Sequence, residues 1–477
     1  MKNEKWTLPN LKLAQKRTKT ETKVEKSLFV VDPSMQNIGL DKTYFLRTYG
    51  CQANERDGET IAGILDMLHF TQVDTPEKAD LIILNTCAVR KNAEDKVLGE
   101  LGLLKRIKRE KPDTIFALCG CMAQEEEIVN LLVEKYEHVD LIFGTHNIHR
   151  LPTLLYNVIM NKERVIEVFS KEGEVVENMP VKRFGTHKAW VNIMYGCDKF
   201  CTYCIVPYTR GKERSRHLED IIDEIKQLKA EGFKEVTLLG QNVNAYGKDL
   251  GMESGFATLM EESAKTGIER IRFTTSHPYD FTDAMVDVIA KYDNIMPFIH
   301  LPVQSGDSAM LKIMGRRYTI EQYKALYDYI MKKIPNCAIS TDIIVGFPNE
   351  TEEQFERTLD IVDYCKYDNA FTFIYSPREG TPAARMIDNV PFDVKQERLQ
   401  KLIDKCSYYA KAQNETWVGK TCKVLVDGPS KKNKEIYSGY SEQNKLVNFK
   451  VKDAKPGDIV EVKITEAKTW TLNGEQI

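Results

Sequence analysis

Short apolar runs alternate with longer amphipathic segments along residues 42–160. Apolar residues recur at helical spacing in residues 54–68, where Ile61 and Leu65 share one face. The continuous apolar run at residues 81–84 is typical of a buried parallel strand. The pattern predicts strands at 44–48, 81–84, 114–119 and 139–143, and helices at 54–68, 93–108 and 125–134. Strands that alternate with helices predict an α/β domain with a mostly parallel sheet.

The same alternation returns in residues 183–415, after a charged segment at 160–185 that predicts a hairpin and linker. Each apolar run here is followed by a polar or glycine-containing loop. The predicted strands are 190–194, 236–239, 268–273, 298–301, 338–345 and 370–375. Six strands with helices between them predict a partial (β/α)₆ barrel whose site lies at the carboxyl ends of the strands.

The pattern changes again at residue 416. Short β-rich runs at 423–426, 445–449, 459–464 and 469–472 are separated by glycines. They predict a small OB-like β-barrel over residues 416–477. This segment carries eleven lysines and eight acidic residues, which is compatible with RNA binding, although many small barrels only pack or dimerise.

The first 41 residues have poor apolar periodicity and more basic than acidic side chains. This composition predicts a flexible leader. A weak RNA-contacting arm is the alternative interpretation of its basic residues.

Composition limits the classes of protein to consider. The net charge is −3, so nucleic-acid binding must come from local patches. No run of about 18 apolar residues occurs, and the start is too polar for a secretory signal; both features predict a cytoplasmic protein without membrane attachment. Eleven cysteines in such a protein indicate metal or redox use rather than disulfides.

Three cysteines stand at equivalent places in the first α/β domain. Cys51, Cys87 and Cys121 each follow a predicted strand and a short turn. Because the carboxyl ends of parallel strands meet at one edge of a sheet, these thiols are expected to converge. They predict a three-cysteine iron–sulfur cluster, the alternative being ordinary core cysteines. Cys119 lies inside a strand and is expected to pack as a small apolar residue.

A second set of cysteines, Cys197, Cys201 and Cys204, occupies a single loop with C-x₃-C-x₂-C spacing. Three thiolates on a four-iron cluster leave one iron open to bind a substrate. A zinc knuckle or buried structural cysteines are the alternatives, but zinc in structural sites takes four ligands. The spacing is that of the radical S-adenosylmethionine (SAM) enzymes, which the loop resembles.

A basic run follows this loop and contains Arg210, Lys212, Arg214 and Arg216. Such a run is often a solvated face. Because it adjoins the cysteine loop, it also predicts contact with substrate phosphates.

Three stretches together resemble the radical SAM methylthiotransferases. They are Asn-Thr-Cys-Ala-Val-Arg at residues 85–90, the loop from Cys204 through residues 205–211, and Leu-Pro-Val-Gln-Ser-Gly at residues 301–306. The resemblance covers about residues 42–477 and leaves out the leader. Within the family it favours the branch that acts on dimethylallyladenosine in tRNA.

The resemblance implies two [4Fe-4S] clusters. Cys51, Cys87 and Cys121 would carry an auxiliary cluster, and Cys197, Cys201 and Cys204 a SAM-binding cluster. The implied SAM contacts are Tyr203, Gly240, Gln241, Gln304, Val345 and Gly346. Gln241 departs from other radical SAM enzymes, which often have an acidic residue at this place. The barrel at residues 416–477 resembles a TRAM domain that grips tRNA.

The resemblance also implies the reaction. The adenine C2–H is unactivated, so a side-chain base cannot remove this hydrogen as a proton. A radical made from SAM abstracts it instead. Two SAM molecules are used per turnover, one as methyl donor and one as radical source, and a methylthio group is added at position 37 of tRNA, next to the anticodon. The implied partners are the anticodon stem-loop carrying dimethylallyladenosine, an electron donor such as flavodoxin or ferredoxin, and a sulfur source.

Two alternatives stay open at this point. Sister families modify threonylcarbamoyl-adenosine in tRNA or an aspartate of a ribosomal protein. An iron–sulfur RNA-binding protein without catalysis would carry two clusters but would not cleave SAM.

Overall fold

The computed structural model describes residues 6–16, 26–88, 91–170, 174–430 and 433–477. The chain divides into two compact units. The first unit contains Met1–Phe184, Met194–Asp198 and Cys204–Arg216. The second unit contains Gly185–Ile193, Lys199–Tyr203 and His217–Ile477.

The helices and strands are numbered in chain order. The helices are α1 Leu11–Lys16, α2 Gln52–Met67, α3 Lys91–Glu110, α4 Glu126–Lys135, α5 Leu151–Asn161, α6 Val206–Thr209, α7 Leu218–Ala230, α8 Gly255–Lys265, α9 Asp283–Lys291, α10 Ser308–Ile313, α11 Ile320–Lys333, α12 Glu352–Cys365 and α13 Phe392–Glu415. The strands are β1 Lys26–Leu28, β2 Thr43–Thr48, β3 Thr71–Gln72, β4 Leu81–Thr86, β5 Ile115–Gly120, β6 Leu141–Phe143, β7 Val165–Glu167, β8 Val175–Glu177, β9 Lys188–Asn192, β10 Met194–Tyr195, β11 Arg214–Ser215, β12 Glu235–Leu239, β13 Arg270–Phe273, β14 Phe298–His300, β15 Ala338–Val345, β16 Asn369–Ile374, β17 Thr421–Pro429, β18 Ile436–Ser441, β19 Leu446–Lys450, β20 Ile459–Ala467 and β21 Thr471–Gln476.

The first unit is built on a six-stranded parallel sheet in the order β3-β2-β4-β5-β6-β7. One apolar core joins the sheet to α2 and α5 through residues such as Ile61 and Leu154. The other core joins it to α3 and α4 through residues such as Leu101 and Leu132. Both faces of the sheet are therefore covered, and every residue of β4 is buried. The predicted α/β domain is confirmed, with α5, β3 and β7 added to the predicted elements.

Described parts of the leader are fixed to the first unit. Strand β1 pairs in parallel with β8, and the Trp6 indole Nε1 donates a hydrogen bond to the Arg164 carbonyl at 3.1 Å. The Trp6 and Phe29 side chains pack against the two cores. The prediction of a flexible leader is wrong for these parts, because their apolar side chains have a surface to bury. Residues 1–5 and 17–25 lie outside the described residues.

The predicted hairpin at residues 160–185 is also wrong. Strand β7 pairs in parallel with β6, at the edge of the main sheet, and β8 pairs with β1. Each strand has a partner from elsewhere in the chain, so the two do not pair with each other. Gly173, the proposed turn residue, lies outside the described residues.

The second unit contains the six predicted core strands as two three-stranded parallel sheets, β13-β12-β9 and β14-β15-β16. The segment before β14 extends the first sheet, because the Ile271 amide donates to the Asn294 carbonyl at 2.7 Å and the Met296 amide donates to the Ile271 carbonyl at 2.9 Å. With helices between successive strands, this arrangement is the predicted partial (β/α)₆ barrel.

The last five strands close a barrel in the order β17-β18-β19-β21-β20. Val424, Val447, Phe449 and Val462 fill its interior. The predicted small β-barrel is confirmed. Strand β18 is missing from the predicted pattern because Ser438 and Gly439 interrupt its apolar residues.

Two buried arginines of β13 hold this barrel against the core of the second unit. Arg270 donates to the carbonyls of Tyr440 at 2.9 Å and Lys423 at 3.0 Å. Arg272 pairs with Glu235 at 2.8 Å and donates to the Ser441 carbonyl at 2.7 Å. The barrel is therefore bonded to the core through buried charge rather than only tethered by α13.

We expect Arg272→Met to destabilise the attachment of the barrel by about 3–5 kcal/mol, because the buried Glu235 carboxylate loses its partner. Hydrogen exchange of the β17 and β18 amides at increasing urea concentration measures this loss. Lys234→Met is the matched control, since it breaks an exposed pair with Glu269 worth about 0–1 kcal/mol. Equal exchange in the two variants would contradict the prediction.

Candidate active site

The three strand-end cysteines of the first unit come together at the carboxyl edge of its sheet. Cys51 precedes α2, Cys87 follows β4, and Cys121 opens a short 3₁₀-helix after β5. The thiols of Cys51 and Cys121 lie 3.6 and 3.7 Å from the Oδ1 atom of Asn54. A Cβ at Gly50 would lie 2.2 Å from the Cys87 Cβ, so glycine is needed for this turn to approach Cys87.

The thiols differ in how readily they ionise. A hydrogen bond from the Cys87 thiol lowers the pKa of Cys51 to about 5, and the nearby Arg210 charge acts in the same direction. Burial raises the pKa of Cys121 to about 11, although Arg210 opposes the rise. Thiolates are the ligand form of cysteine, so the lowered pKa of Cys51 favours its ligand form, whereas burial disfavours the ligand form of Cys121.

Asn54 is the organising residue of this edge. Its side-chain amide is fully buried and donates to the carbonyls of Thr86 at 2.5 Å and Tyr49 at 3.3 Å. In return, the Asn85 side chain donates to the Asn54 carbonyl at 2.7 Å. The loops after β2 and β4 are thereby locked together. Asn54 is absent from the residues predicted from the sequence, where its one signal is a polar side chain one helical turn after Cys51.

Cys119 and Cys121 have different environments although they are two residues apart. Cys119 is fully buried in the apolar core beneath α2, and burial raises its pKa well above the ordinary value. Cys121 instead packs with Ala88 and Ile205. Gly120 between them has φ 94°, a left-handed conformation that turns the chain out of the strand. Cys121 is the cysteine placed with Cys51.

The basic run after the second cysteine loop is largely internal. Arg210 is buried and pairs with Asp57 at 2.7 Å, and Arg216 is buried and pairs with Glu177 at 2.8 Å. Arg214 is buried, with its guanidinium 5.9 Å from the Tyr195 ring centre. Arg210 and Arg216 thus direct their charges to carboxylates inside the first unit, and the contact of the three arginines with substrate phosphates stays a prediction. Lys212 is half-buried, and its contact with tRNA stays a prediction.

The residues of the second cysteine loop are divided between the two units, and each part has contacts within its own unit. In the first unit, the Cys197 amide donates to the Gly211 carbonyl at 3.1 Å, and Ile205, next to Cys204, packs against Cys121. In the second unit, the buried Arg316 donates through Nη1 to the Cys201 sulfur at 3.4 Å and through Nη2 to the Pro302 carbonyl at 2.9 Å. Arg316 had no signal in the sequence.

Lys199 anchors the part of this loop that belongs to the second unit. Its ammonium pairs with the buried Asp280 at 2.6 Å, and Asn242 and Lys248 donate to the same carboxylate. Although burial opposes it, these hydrogen bonds hold the pKa of Asp280 below its ordinary value. The charged form of Asp280 is thus available to fix the loop.

The predicted SAM contacts fall into two groups. Tyr203 packs edge-on against Phe347 with ring centres 6.4 Å apart, and Gly240 and Gln241 are half-buried after β12. Gln304 is buried with φ 68°, and its Oε1 atom has no hydrogen-bond partner among the described residues. A buried amide oxygen without a partner is costly, so Gln304 fits a site that receives a polar ligand.

Val345 and Gly346 have partners within the fold. The Val345 carbonyl accepts from the Tyr375 amide at 2.9 Å, and the Gly346 amide donates to Glu350 at 2.8 Å. A Cβ at Gly346 would lie 2.3 Å from Lys395. Packing explains this glycine, and the contact of residues 345 and 346 with SAM stays a prediction.

No three His, Cys, Asp or Glu side chains in the described ranges are arranged to hold a single metal ion. The cysteines of a four-iron cluster bind separate irons, so they are spaced more widely than the ligands of one ion. Among the described residues, no helix is long and apolar enough to cross a membrane. Val89 and Arg90 of the 85–90 motif lie outside the described residues.

Comparison with known proteins identifies the family. Residues 191–362 match the Radical SAM superfamily, residues 43–144 match the Uncharacterized protein family UPF0004, and residues 415–477 match the TRAM domain. The tRNA-2-methylthio-N(6)-dimethylallyladenosine synthases of Bacillus mycoides and Bacillus cytotoxicus are 57% and 56% identical over 470 residues, covering 98% of this chain and 92% of theirs. The chain belongs to this synthase family.

Two solved structures have a fold similar to that of this chain. The radical S-adenosylmethionine methyltransferase TsrM from Kitasatospora setae, with cobalamin and a [4Fe-4S] cluster bound, matches with a TM-score of 0.54 at 14% identity, covering 72% of this chain and 74% of that chain. Its complex with tryptophan and a SAM analogue matches with a TM-score of 0.52. At this identity the likeness concerns the fold alone.

Proposed function

We propose that this chain adds a methylthio group to C2 of N6-dimethylallyladenosine at position 37 of tRNA, with SAM and two [4Fe-4S] clusters. The observation that carries the proposal is the convergence of Cys51, Cys87 and Cys121 at one sheet edge, in a chain 56% identical to tRNA methylthiotransferases over nearly its whole length. A radical SAM enzyme that only cleaves SAM has no need of this second cysteine set.

The residues at each proposed cluster fit an iron–sulfur group. Both sets consist only of cysteines, which are the usual ligands of such clusters. Cys51, Cys87 and Cys121 would hold the auxiliary cluster, and Cys197, Cys201 and Cys204 the SAM-binding cluster. When bound, the clusters and SAM would supply the electron, the radical that removes the C2 hydrogen, the sulfur site and the methyl group.

The chain itself orients these groups. Lys199 and Asp280 hold the cysteine loop, and Arg316 places a positive charge at the Cys201 sulfur. The buried Gln304 offers an amide oxygen to a polar ligand. We place SAM beside Gln304, Tyr203, Gly240 and Gln241.

The remaining parts serve the substrate and the supply of electrons. We assign residues 42–160 to the auxiliary cluster, 183–415 to SAM chemistry and 416–477 to tRNA binding. Exposed lysines on the barrel, such as Lys423 and Lys463, are available to tRNA phosphates. A flavodoxin- or ferredoxin-type donor and a sulfur source complete the reaction, which we place in the cytoplasm.

The test is mass spectrometry of position-37 nucleosides after anaerobic incubation of the reduced protein with SAM and dimethylallylated tRNA. We expect a methylthio product together with release of 5′-deoxyadenosine. Parallel reactions with threonylcarbamoyl-adenosine tRNA and ribosomal protein test the sister activities. Clusters without any 5′-deoxyadenosine would identify a non-catalytic RNA-binding protein and overturn the proposal.

A further inference from the structure

One buried cation faces the thiols of the proposed auxiliary cluster. The Arg210 Nε atom donates to the Cys121 sulfur at 3.1 Å. Its Nη2 atom donates to Asn54 Oδ1 at 2.9 Å and to Asp57 Oδ2 at 2.7 Å. Since Asn54 Oδ1 also lies 3.6 Å from the Cys51 thiol, the guanidinium is joined to two of the three cysteines, directly or through one atom.

Arg210 is rigidly held in this position. Arg210 is 6% exposed, and the Asp57 carboxylate that pairs with it is also buried. It caps α6, which starts two residues after Cys204. The other end of this segment is fixed as well, because Ile205 packs against Cys121 and Ala88. The seven residues from Cys204 to Arg210 therefore begin at a proposed ligand of the SAM-binding cluster. They end at the arginine that donates to Cys121, a proposed ligand of the auxiliary cluster.

Arg216 is a second buried arginine, six residues after Arg210 in the chain. It donates from Nε and Nη2 to the two carboxylate oxygens of Glu177, both at 2.8 Å. Both side chains of the pair are buried. Arg216 and Arg210 thus have nearly the same burial and the same kind of partner, a buried carboxylate.

The charge at Arg210 has a direct electrostatic consequence. Reduction adds negative charge to a cluster, and hydrogen bonds to the cluster sulfurs raise its reduction potential. A positive donor in a buried site acts strongly because little water screens it. The Asp57 carboxylate beside it works in the opposite direction, since it neutralises part of the arginine charge.

We propose that Arg210 is a positioning residue that raises the reduction potential of the auxiliary cluster through its hydrogen bond to Cys121, and that Asp57 moderates this effect. The inference rests on the proposed function, because it takes Cys121 as a ligand of that cluster. It accounts for the direction of Arg210 into the first unit, where the guanidinium contacts Cys121 and Asp57. Arg316 makes a similar contact in the second unit, where it donates to the sulfur of Cys201.

The experiment is an EPR-monitored potentiometric titration of the full-length protein carrying both clusters. The auxiliary transition is the one that persists in Cys201→Ala and disappears in Cys121→Ala. In Arg210→Gln, we expect the equilibrium constant for one-electron reduction of this cluster to fall at least tenfold, about 59 mV. In Asp57→Asn, which keeps the shape of the side chain, we expect a shift in the opposite direction.

Two further variants separate electrostatics from folding. Arg210→Lys keeps the charge and should recover part of the potential lost in Arg210→Gln. Arg216→Gln is the matched control, because it removes a similarly buried arginine six residues further along the chain and should leave the auxiliary potential unchanged.

The two main variants are expected to shift the reduction potential of the auxiliary cluster in opposite directions, and this difference tests the inference. A loss of packing alone moves Arg210→Gln and Asp57→Asn in the same direction, and that result overturns the inference, as does an unchanged potential in both. If Arg210→Gln loses the cluster, Asp57→Asn decides alone: a raised potential supports the proposal, and a lowered or unchanged one rejects it. Persistence of the auxiliary transition in Cys121→Ala would instead refute the proposed ligand set.

Discussion

Cys121→Ala should abolish methylthiolation and remove about half of the iron, since one of two four-iron clusters is lost, whereas Cys119→Ala should keep both. The two cysteines are separated only by Gly120, yet they face different surroundings. Cys121 lies with Cys51 around Asn54 and accepts a hydrogen bond from Arg210. Cys119 is buried in the apolar core of the sheet. Only the Cys121 environment places a sulfur where it can serve as a cluster ligand.

The measurements are iron content and product formation on dimethylallylated tRNA, with SAM cleavage as an internal check. Release of 5′-deoxyadenosine should survive in Cys121→Ala, because the other cysteine set is intact. Cys119→Ala should cost no more than the packing of a small apolar side chain. Retention of the cluster in Cys121→Ala together with its loss in Cys119→Ala would reverse the assignment of the ligand.

Cys201→Ala should eliminate all SAM cleavage while leaving the auxiliary cluster in place. Cys201 is buried, and Arg316 donates to its sulfur within the second unit. Cys51, Cys87 and Cys121 instead follow separate strands of the sheet in the first unit, outside the loop that carries Cys197, Cys201 and Cys204. Removal of one thiolate from a three-cysteine set leaves too few ligands to hold a four-iron cluster.

Iron counting and assay of 5′-deoxyadenosine measure the two parts of this result. Cys365→Ala is the matched control, since Cys365 is an equally buried cysteine of the second unit that lies inside α12 and in neither ligand set. It should keep both clusters and full SAM cleavage. Loss of all iron in Cys201→Ala would mean that the two cysteine sets serve one cluster.

The sequence determined those features that depend on neighbouring residues. Apolar periodicity identified four strands and three helices of the first α/β region, the six core strands of the second and four of the five barrel strands, because one face of each element must be buried. The spacing of Cys197, Cys201 and Cys204 indicated a cluster loop without any knowledge of the fold. The strand-end positions of Cys51 and Cys121 followed from the parallel sheet, whose strand ends lie on one edge.

Only the tertiary structure decided which charges meet. Arg210 and Asp57 are 153 residues apart, and Arg216 and Glu177 are 39 apart, so no local pattern distinguishes a buried ion pair from a phosphate-binding run. The same holds for Arg272, whose hydrogen bonds with the barrel span about 170 residues, and for the leader strand β1, whose partner β8 is distant in sequence. A charged or extended segment takes its role from the partner that folding brings to it, and that partner is encoded elsewhere in the chain.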